Sequence, residues 1–174
     1  MNEAPCNFVE IDPREIQDNA IQMIGYDWFL VTAGTQSQFN TMTASWGGMG
    51  FMWRRPVMFV VIRPQRHTYE LIEKEDGFTL SIFDESYKKA LSYCGTHSGR
   101  DVDKVKETGL TPWMMESGLV AFQEARLVLE CKKLYTDLID HDRFLDPTIV
   151  PACYQDGTTH RMYVVEIVKA WKKS

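Results

Sequence analysis

The chain has 174 residues and a formal net charge of −5, with 44% hydrophobic and 25% charged residues. That balance suits a soluble globular protein able to bury a core without staples, and the length favours one domain. The acidic charge argues against a broad nucleic-acid surface, and no apolar run approaches the roughly 18 residues that span a membrane.

The start, Met1-Asn2-Glu3-Ala4-Pro5, lacks the basic and apolar regions of a signal peptide, so the cytoplasm is the expected compartment. Cys6, Cys94, Cys131 and Cys153 show no C-x-x-C spacing, and His67, His97, His141 and His160 are scattered. Free thiols and no metal centre are the expectation.

Asp12-Pro13-Arg14-Glu15 reads as a helix start: Asp12 caps, Pro13 fits the first position and Glu15 completes a capping box. Ile16, Ala20, Met23 and Ile24 form its apolar stripe, and Gly25 ends it. Trp28 to Ala33 is a short apolar run bounded by Asp27 and Gly34, which predicts a buried strand. After a turn at Thr35 to Gln38, Asn40 to Trp46 predicts an antiparallel partner strand, broken by Gly47-Gly48 and Gly50.

Val57 to Ile62 is a further buried strand. A helix is expected from about Thr68 to Asp76, with Thr68 as its N-cap and Gly77 closing it. Phe78 to Phe83 alternates as a strand. Asp84 can cap a short helix carrying Tyr87, Ala90, Leu91 and Cys94 on one face, ended by Gly95. A charged helix follows from Asp101 to Thr108, stopped by Gly109. From Ala125 to Lys133 the alternation predicts a long antiparallel strand with one wet face. Residues 135 to 160 look irregular, with a short helix around Asp140 to Leu145, and Arg161 to Trp171 is a last strand. About six strands and three or four short helices fit an antiparallel barrel with helices over its ends better than a doubly wound sheet.

Three segments offer ligand chemistry. Asn40-Thr41-Met42-Thr43-Ala44-Ser45-Trp46-Gly47-Gly48-Met49-Gly50 combines hydroxyls, an indole and glycines that let a ligand approach the backbone. Arg63-x-x-Arg66-x-Thr68 supplies two guanidinium forks and a hydroxyl just before a helix N-terminus, which suits phosphate. Ser98-Gly99-Arg100-Asp101-x-x-Lys104 is a small-residue loop entering a helix. Taken singly, these also read as strand-end charges and a capped helix. No P-loop, G-x-G-x-x-G or G-x-S-x-G motif is present. Asp140-His141-Asp142 and His160 are the remaining acid–base candidates, and surface or structural roles suit them better.

These segments, with Asp27 to Gly34, Phe78 to Phe83, Glu124 to Leu127 and the closing His160 to Ile167, resemble the flavoredoxin branch of the flavin reductase-like proteins over nearly the whole chain. The resemblance implies a single FMN-binding split-barrel domain: mainly β with α additions, a six-stranded antiparallel Greek-key barrel flanked by short helices, usually homodimeric. By resemblance, Asn40, Thr41 and Met42 belong to the FMN site. Thr43, Ala44, Ser45 and Trp46 meet the isoalloxazine and ribityl groups. Arg63, Arg66 and Thr68 hold the phosphate, and Ser98, Gly99, Arg100 and Lys104 close over the cofactor. His67 stands where relatives often carry Tyr, and Val165 where many carry Gly. The implied activity is a flavin reductase in which FMN accepts hydride from NADH or NADPH. The alternatives are an electron carrier reduced by a protein partner, or a flavin-binding module without turnover. No residue is expected to be catalytic in its own right, because the cofactor carries the chemistry.

Overall fold

The computed structural model describes residues 4, 5 and 7–174. The expected free thiol at Cys6 and the reading of Met1 to Glu3 lie outside the described residues. Cys94, Cys131 and Cys153 are free.

Ten strands are described: β1 (Phe8–Ile11), β2 (Phe29–Thr35), β3 (Gln38–Ala44), β4 (Gly47–Met52), β5 (Arg55–Ile62), β6 (Gly77–Ile82), β7 (Pro112–Met114), β8 (Val120–Phe122), β9 (Leu127–Leu138) and β10 (Arg161–Lys173). Four α-helices accompany them: α1 (His67–Lys74), α2 (Lys88–Thr96), α3 (Lys104–Thr108) and α4 (Ile149–Cys153). One sheet runs β3-β2-β6-β9-β10-β5-β4, with β1 on β10, and β7-β8 form a separate pair. Every pairing is antiparallel. The architecture is the split barrel, with more strands than the six expected. Its path opens where β3 and β4 form the two ends, joined only through Ser45 and Trp46.

Strand alternation divides the buried side chains into two cores. Phe29, Val31 and Ala33 of β2 enter the barrel interior with Met58, Val60, Ile62, Phe78, Leu80, Ile82, Leu129 and Tyr163, and Leu71 and Ile72 of α1 pack there too. Leu30, one step out of phase, joins a second core with Leu91, Cys94, Trp113, Phe122 and Val128. That second core overturns the wet face expected for the strand at Ala125 to Lys133. Val128 is fully buried, and Glu130 is buried with its carboxylate accepting from Trp171 Nε1 at 2.7 Å. The strand also continues to Leu138, through part of the segment expected to be irregular. The short helix expected around Asp140 to Leu145 is a single turn, His141–Arg143, and α4 follows it in the same segment.

The glycines expected to end the strand at Trp46 instead begin β4. Gly47 pairs with Val60 and Gly48 with Phe59. A Cβ on Gly47 would stand 2.1 Å from the Phe59 carbonyl oxygen, so the approach of β4 to β5 requires a bare backbone. The hairpin turns at Trp53 and Arg54, both at positive φ (52° and 62°), the conformation of a two-residue type I′ turn.

The helical expectations shift in register. Asp12 does form its capping box, but the turn stops after Glu15. Asn19 then accepts from the Ile21 and Gln22 amides and starts a second piece, whose π-helical turn, Gln22–Asp27, runs through Gly25. Met23 and Ile24 still reach the barrel core. Arg66, not Thr68, occupies the N-cap of α1, and Gly77 opens β6 instead of closing α1. Asp84 makes no side-chain cap, and α2 runs past Gly95 to Thr96. Asp103 caps α3 by accepting from Lys106 N, two residues later than expected, and Gly109 ends it in the left-handed region. Among the described residues, no helix is long and apolar enough to cross a membrane.

Candidate functional site

β3 supplies the floor of the site, and the turn from β5 into α1 and the loop from α2 to α3 supply its walls. Two cavities meet along this line. One, of about 320 Å³, is lined by Asn40, Met42, Arg63, Gln65, Arg66, His67, Thr68, Thr96, His97, Ser98, Gly99, Arg100 and Lys104. The other, of about 210 Å³, is lined by Met42 to Trp46, Val61, Arg63, Arg66 and His160. Met42, Arg63 and Arg66 belong to both, so the two make one trough with a cationic end and an aromatic end.

At the cationic end each charge is held differently. Arg66 donates to the Gly95 carbonyl at 2.7 Å. Burial, and then the neighbouring Arg63 charge, lower its pKa from the ordinary arginine value. Arg63 donates to Asp156 Oδ2 at 2.7 Å, Thr158 Oγ1 at 3.0 Å and the Cys153 carbonyl at 3.1 Å. Arg100 pairs with Glu70 and donates to the Gln65 carbonyl at 3.2 Å. Lys104 is buried and donates to the Thr41 and Cys94 carbonyls at 2.8 and 2.7 Å, bridging β3 and α2. Burial is the main cause pushing its pKa down to about 8.

The neutral residues of this end are equally tied. Asn40 Nδ2 donates to Thr68 Oγ1 at 2.8 Å, and Thr68 is fully buried. Gly99 lies so close that a Cβ would meet Asn40 Oδ1 at 2.0 Å. Ser98 Oγ accepts from the Arg100 amide at 3.2 Å. Among the described residues, Arg66 is therefore the guanidinium in this trough that has no carboxylate partner, and it faces a site where the opening turn of α1 adds backbone N–H groups. That donor set fits an oxyanion.

The aromatic end is built from the end of β3 and the start of β10. The Trp46 ring lies 5.0 Å from His160 and 6.5 Å from Tyr154, centroid to centroid. His160 is buried, its Nδ1 is 3.3 Å from the Tyr154 hydroxyl, and burial first, then Arg63 and Arg66, push its pKa down to about 4. It is therefore a neutral imidazole near neutral pH. Thr43 is committed elsewhere: its hydroxyl donates to the Leu91 carbonyl and ties β3 to α2.

Thirteen of the fourteen residues singled out from the sequence thus line the trough. Thr41 does not; its hydroxyl lies 3.0 Å from Thr32 Oγ1, and it lines an adjoining cavity with Asn40, Gly99 and Lys104. Sequence reasoning missed Gln65, Thr96, His97 and Val61 as lining residues and gave no role to Tyr154. His160 was weighed only as an acid–base candidate. Its place at the first residue before the last predicted strand was the available signal.

The model for the flavin reductase like domain matches residues 23–174. The chain belongs to that flavin-binding family. It is 29% identical over 120 residues to an uncharacterized protein of Aeropyrum pernix, covering 67% of this chain and 45% of that one. It thus spans less than half the length of that relative. Among solved structures, it is similar to an FMN-binding domain of a flavin reductases-like enzyme from Shewanella baltica (20% identity, TM-score 0.68, covering 96% of this chain and 78% of that one). It is also similar to flavoredoxin of Desulfovibrio vulgaris (24% identity, TM-score 0.66, covering 92% and 75%). These likenesses establish the fold.

Proposed function

We propose that this chain is a cytoplasmic, single-domain FMN-binding oxidoreductase of the flavin reductase type, working with NADH or NADPH as hydride donor. The observation that carries this reading is the continuous trough with Arg66 at one end and Trp46 at the other. A flavin mononucleotide has that same polarity, a phosphate at one end and a planar ring at the other. Arg66, Arg63 and the opening turn of α1 would hold the phosphate, with Arg100 and Lys104 adding positive potential. Ala44, Ser45, Trp46, Val61 and His160 would bound the ring. Bound FMN supplies the hydride- and electron-accepting chemistry. The protein's part is to fix orientation, exclude water and present a neutral imidazole at the ring end. The Shewanella baltica domain, named as FMN-binding, supports FMN over other flavins.

A homodimer belongs to the same proposal. β4 is an open sheet edge carrying exposed Phe51 and Met52, and the adjacent hairpin tip carries exposed Trp53, 6.1 Å from Tyr135. An unpaired apolar edge of this kind is suited to a second copy.

The test is anaerobic mixing of the FMN-loaded protein with NADH and with NADPH. Bleaching of the flavin absorbance by either supports the reductase reading, and no bleaching by both sinks it. Rapid bleaching by a ferredoxin-like donor alone would move the assignment to an electron carrier.

A further inference from the structure

Arg63 is shared between the trough and a turn far away in sequence. Three of its five N–H donors go to that turn: two to Asp156 and Thr158, and one to the Cys153 carbonyl. Asp156 is in turn bonded to Thr158, whose amide and hydroxyl both donate to Oδ1, at 3.1 and 2.8 Å. Those bonds first, and Arg63 to a smaller degree, hold the Asp156 carboxyl below its ordinary range, so it is ionised at neutral pH. The turn connects α4 to β10, and therefore connects Tyr154 to His160 at the ring end.

We infer that Asp156 is a specificity-determining residue: it serves as the internal counter-ion of Arg63, and a ligand's phosphate monoester displaces it. This rests on the FMN reading above. The physical case is a competition at one guanidinium. A carboxylate offers one negative charge and two oxygens. A phosphate monoester offers about 1.5 to 2 charges and three acceptor oxygens. The Arg63–Asp156 pair is partly solvated, with side-chain exposures of 27% and 52%, so parting it costs little. With the phosphate in place, Asp156 becomes a like charge beside it, and the turn at residues 155–158 loses its anchor. Riboflavin has no phosphate and leaves the latch closed. Asp156 thus handicaps weak or singly charged anions and makes occupation of the cationic end felt at the segment leading to His160.

The experiment is amide hydrogen exchange on wild-type protein and Asp156→Asn, each free, with riboflavin and with FMN, alongside affinity titrations of both flavins. In the wild type, FMN speeds exchange at Tyr154, Gly157 and Thr158 several-fold, and riboflavin does not. In Asp156→Asn these amides exchange faster without ligand and no longer respond to FMN. The variant's FMN affinity rises roughly two- to fivefold, with riboflavin unchanged. Unchanged or slowed exchange on FMN binding overturns the inference and leaves the FMN reading standing. So does weaker FMN binding by the variant, or an equal effect on both flavins. No FMN binding to the wild type overturns both.

Discussion

The two ends of the trough solve opposite problems. The cationic end gathers Arg63, Arg66, Arg100 and Lys104 in one place and offsets part of their mutual repulsion with fixed partners: carboxylates for Arg63 and Arg100, carbonyls for Arg66 and Lys104. At the aromatic end burial keeps the His160 ring neutral, and the charges that reach it are those of Arg63 and Arg66, shared with the cationic end. The lesson is that a charged site can be preorganised without being neutralised. Charges paired to carbonyls keep their full sign, whereas those paired to carboxylates are partly offset.

The largest expected effect separates folding from binding. Lys104→Met leaves the buried Thr41 and Cys94 carbonyls without a donor, which costs about 3 kcal/mol of stability. Thermal denaturation should show a lower Tm by several degrees, and an unchanged Tm would mean the bridge between β3 and α2 is not structural. Next is Arg66→Ala. Loss of a charge-assisted bond worth about 1.5–3 kcal/mol should weaken FMN roughly ten- to a hundredfold and riboflavin hardly at all. Equal weakening of the two would erase the distinction between the ends.

The third effect is pH dependence at the aromatic end. His160 has a folded-state pKa of about 4 against an ordinary 6.5, so the unfolded chain binds more protons between those values. Stability is therefore lost as pH falls from 6.5 towards 4. The loss attributable to His160 should be on the order of 3 kcal/mol by pH 4, read as the difference between wild type and His160→Gln in urea titrations at several pH values. A parallel pH profile for the two proteins would contradict the buried neutral ring. The smallest effect is Trp46→Leu. Removing a half-exposed ring should cost both flavins about 1 kcal/mol, roughly fivefold in affinity. A loss confined to FMN would place Trp46 at the wrong end.

What the sequence made legible follows from how local each signal is. The runs at Phe29, Val57 and Phe78 announce buried strands, because apolar continuity is a property of neighbours in the chain. Arg66 and Trp46 stood out by residue type alone. β4 was illegible because Gly47-Gly48-Met49-Gly50 has the composition of a turn, while its pairing is decided by the backbone of Phe59 and Val60 across the hairpin. The covering of Val128 and Glu130 comes from Phe122 and Trp171, which no alternation within β9 can announce. Arg63 was legible as a cation near a phosphate, but its partner Asp156 lies 93 residues later, with no spacing rule to connect them.

The position of β10 in the sheet has a consequence for the order in which the molecule can assemble. The path β3-β2-β6-β9 and the hairpin β4-β5 are two separate strand sets, and β10, the last strand in sequence, is the one that pairs with both β9 and β5. Until it inserts, the sheet offers two halves with open edges. The trough takes β3 from one half and the end of β5 from the other. A chain lacking β10 therefore holds the trough-lining residues before His160 yet has no trough, and long-range closure of this kind makes folding slow. The step that creates the trough is the same step that removes the aggregation-prone edges of β9 and β5 from solvent.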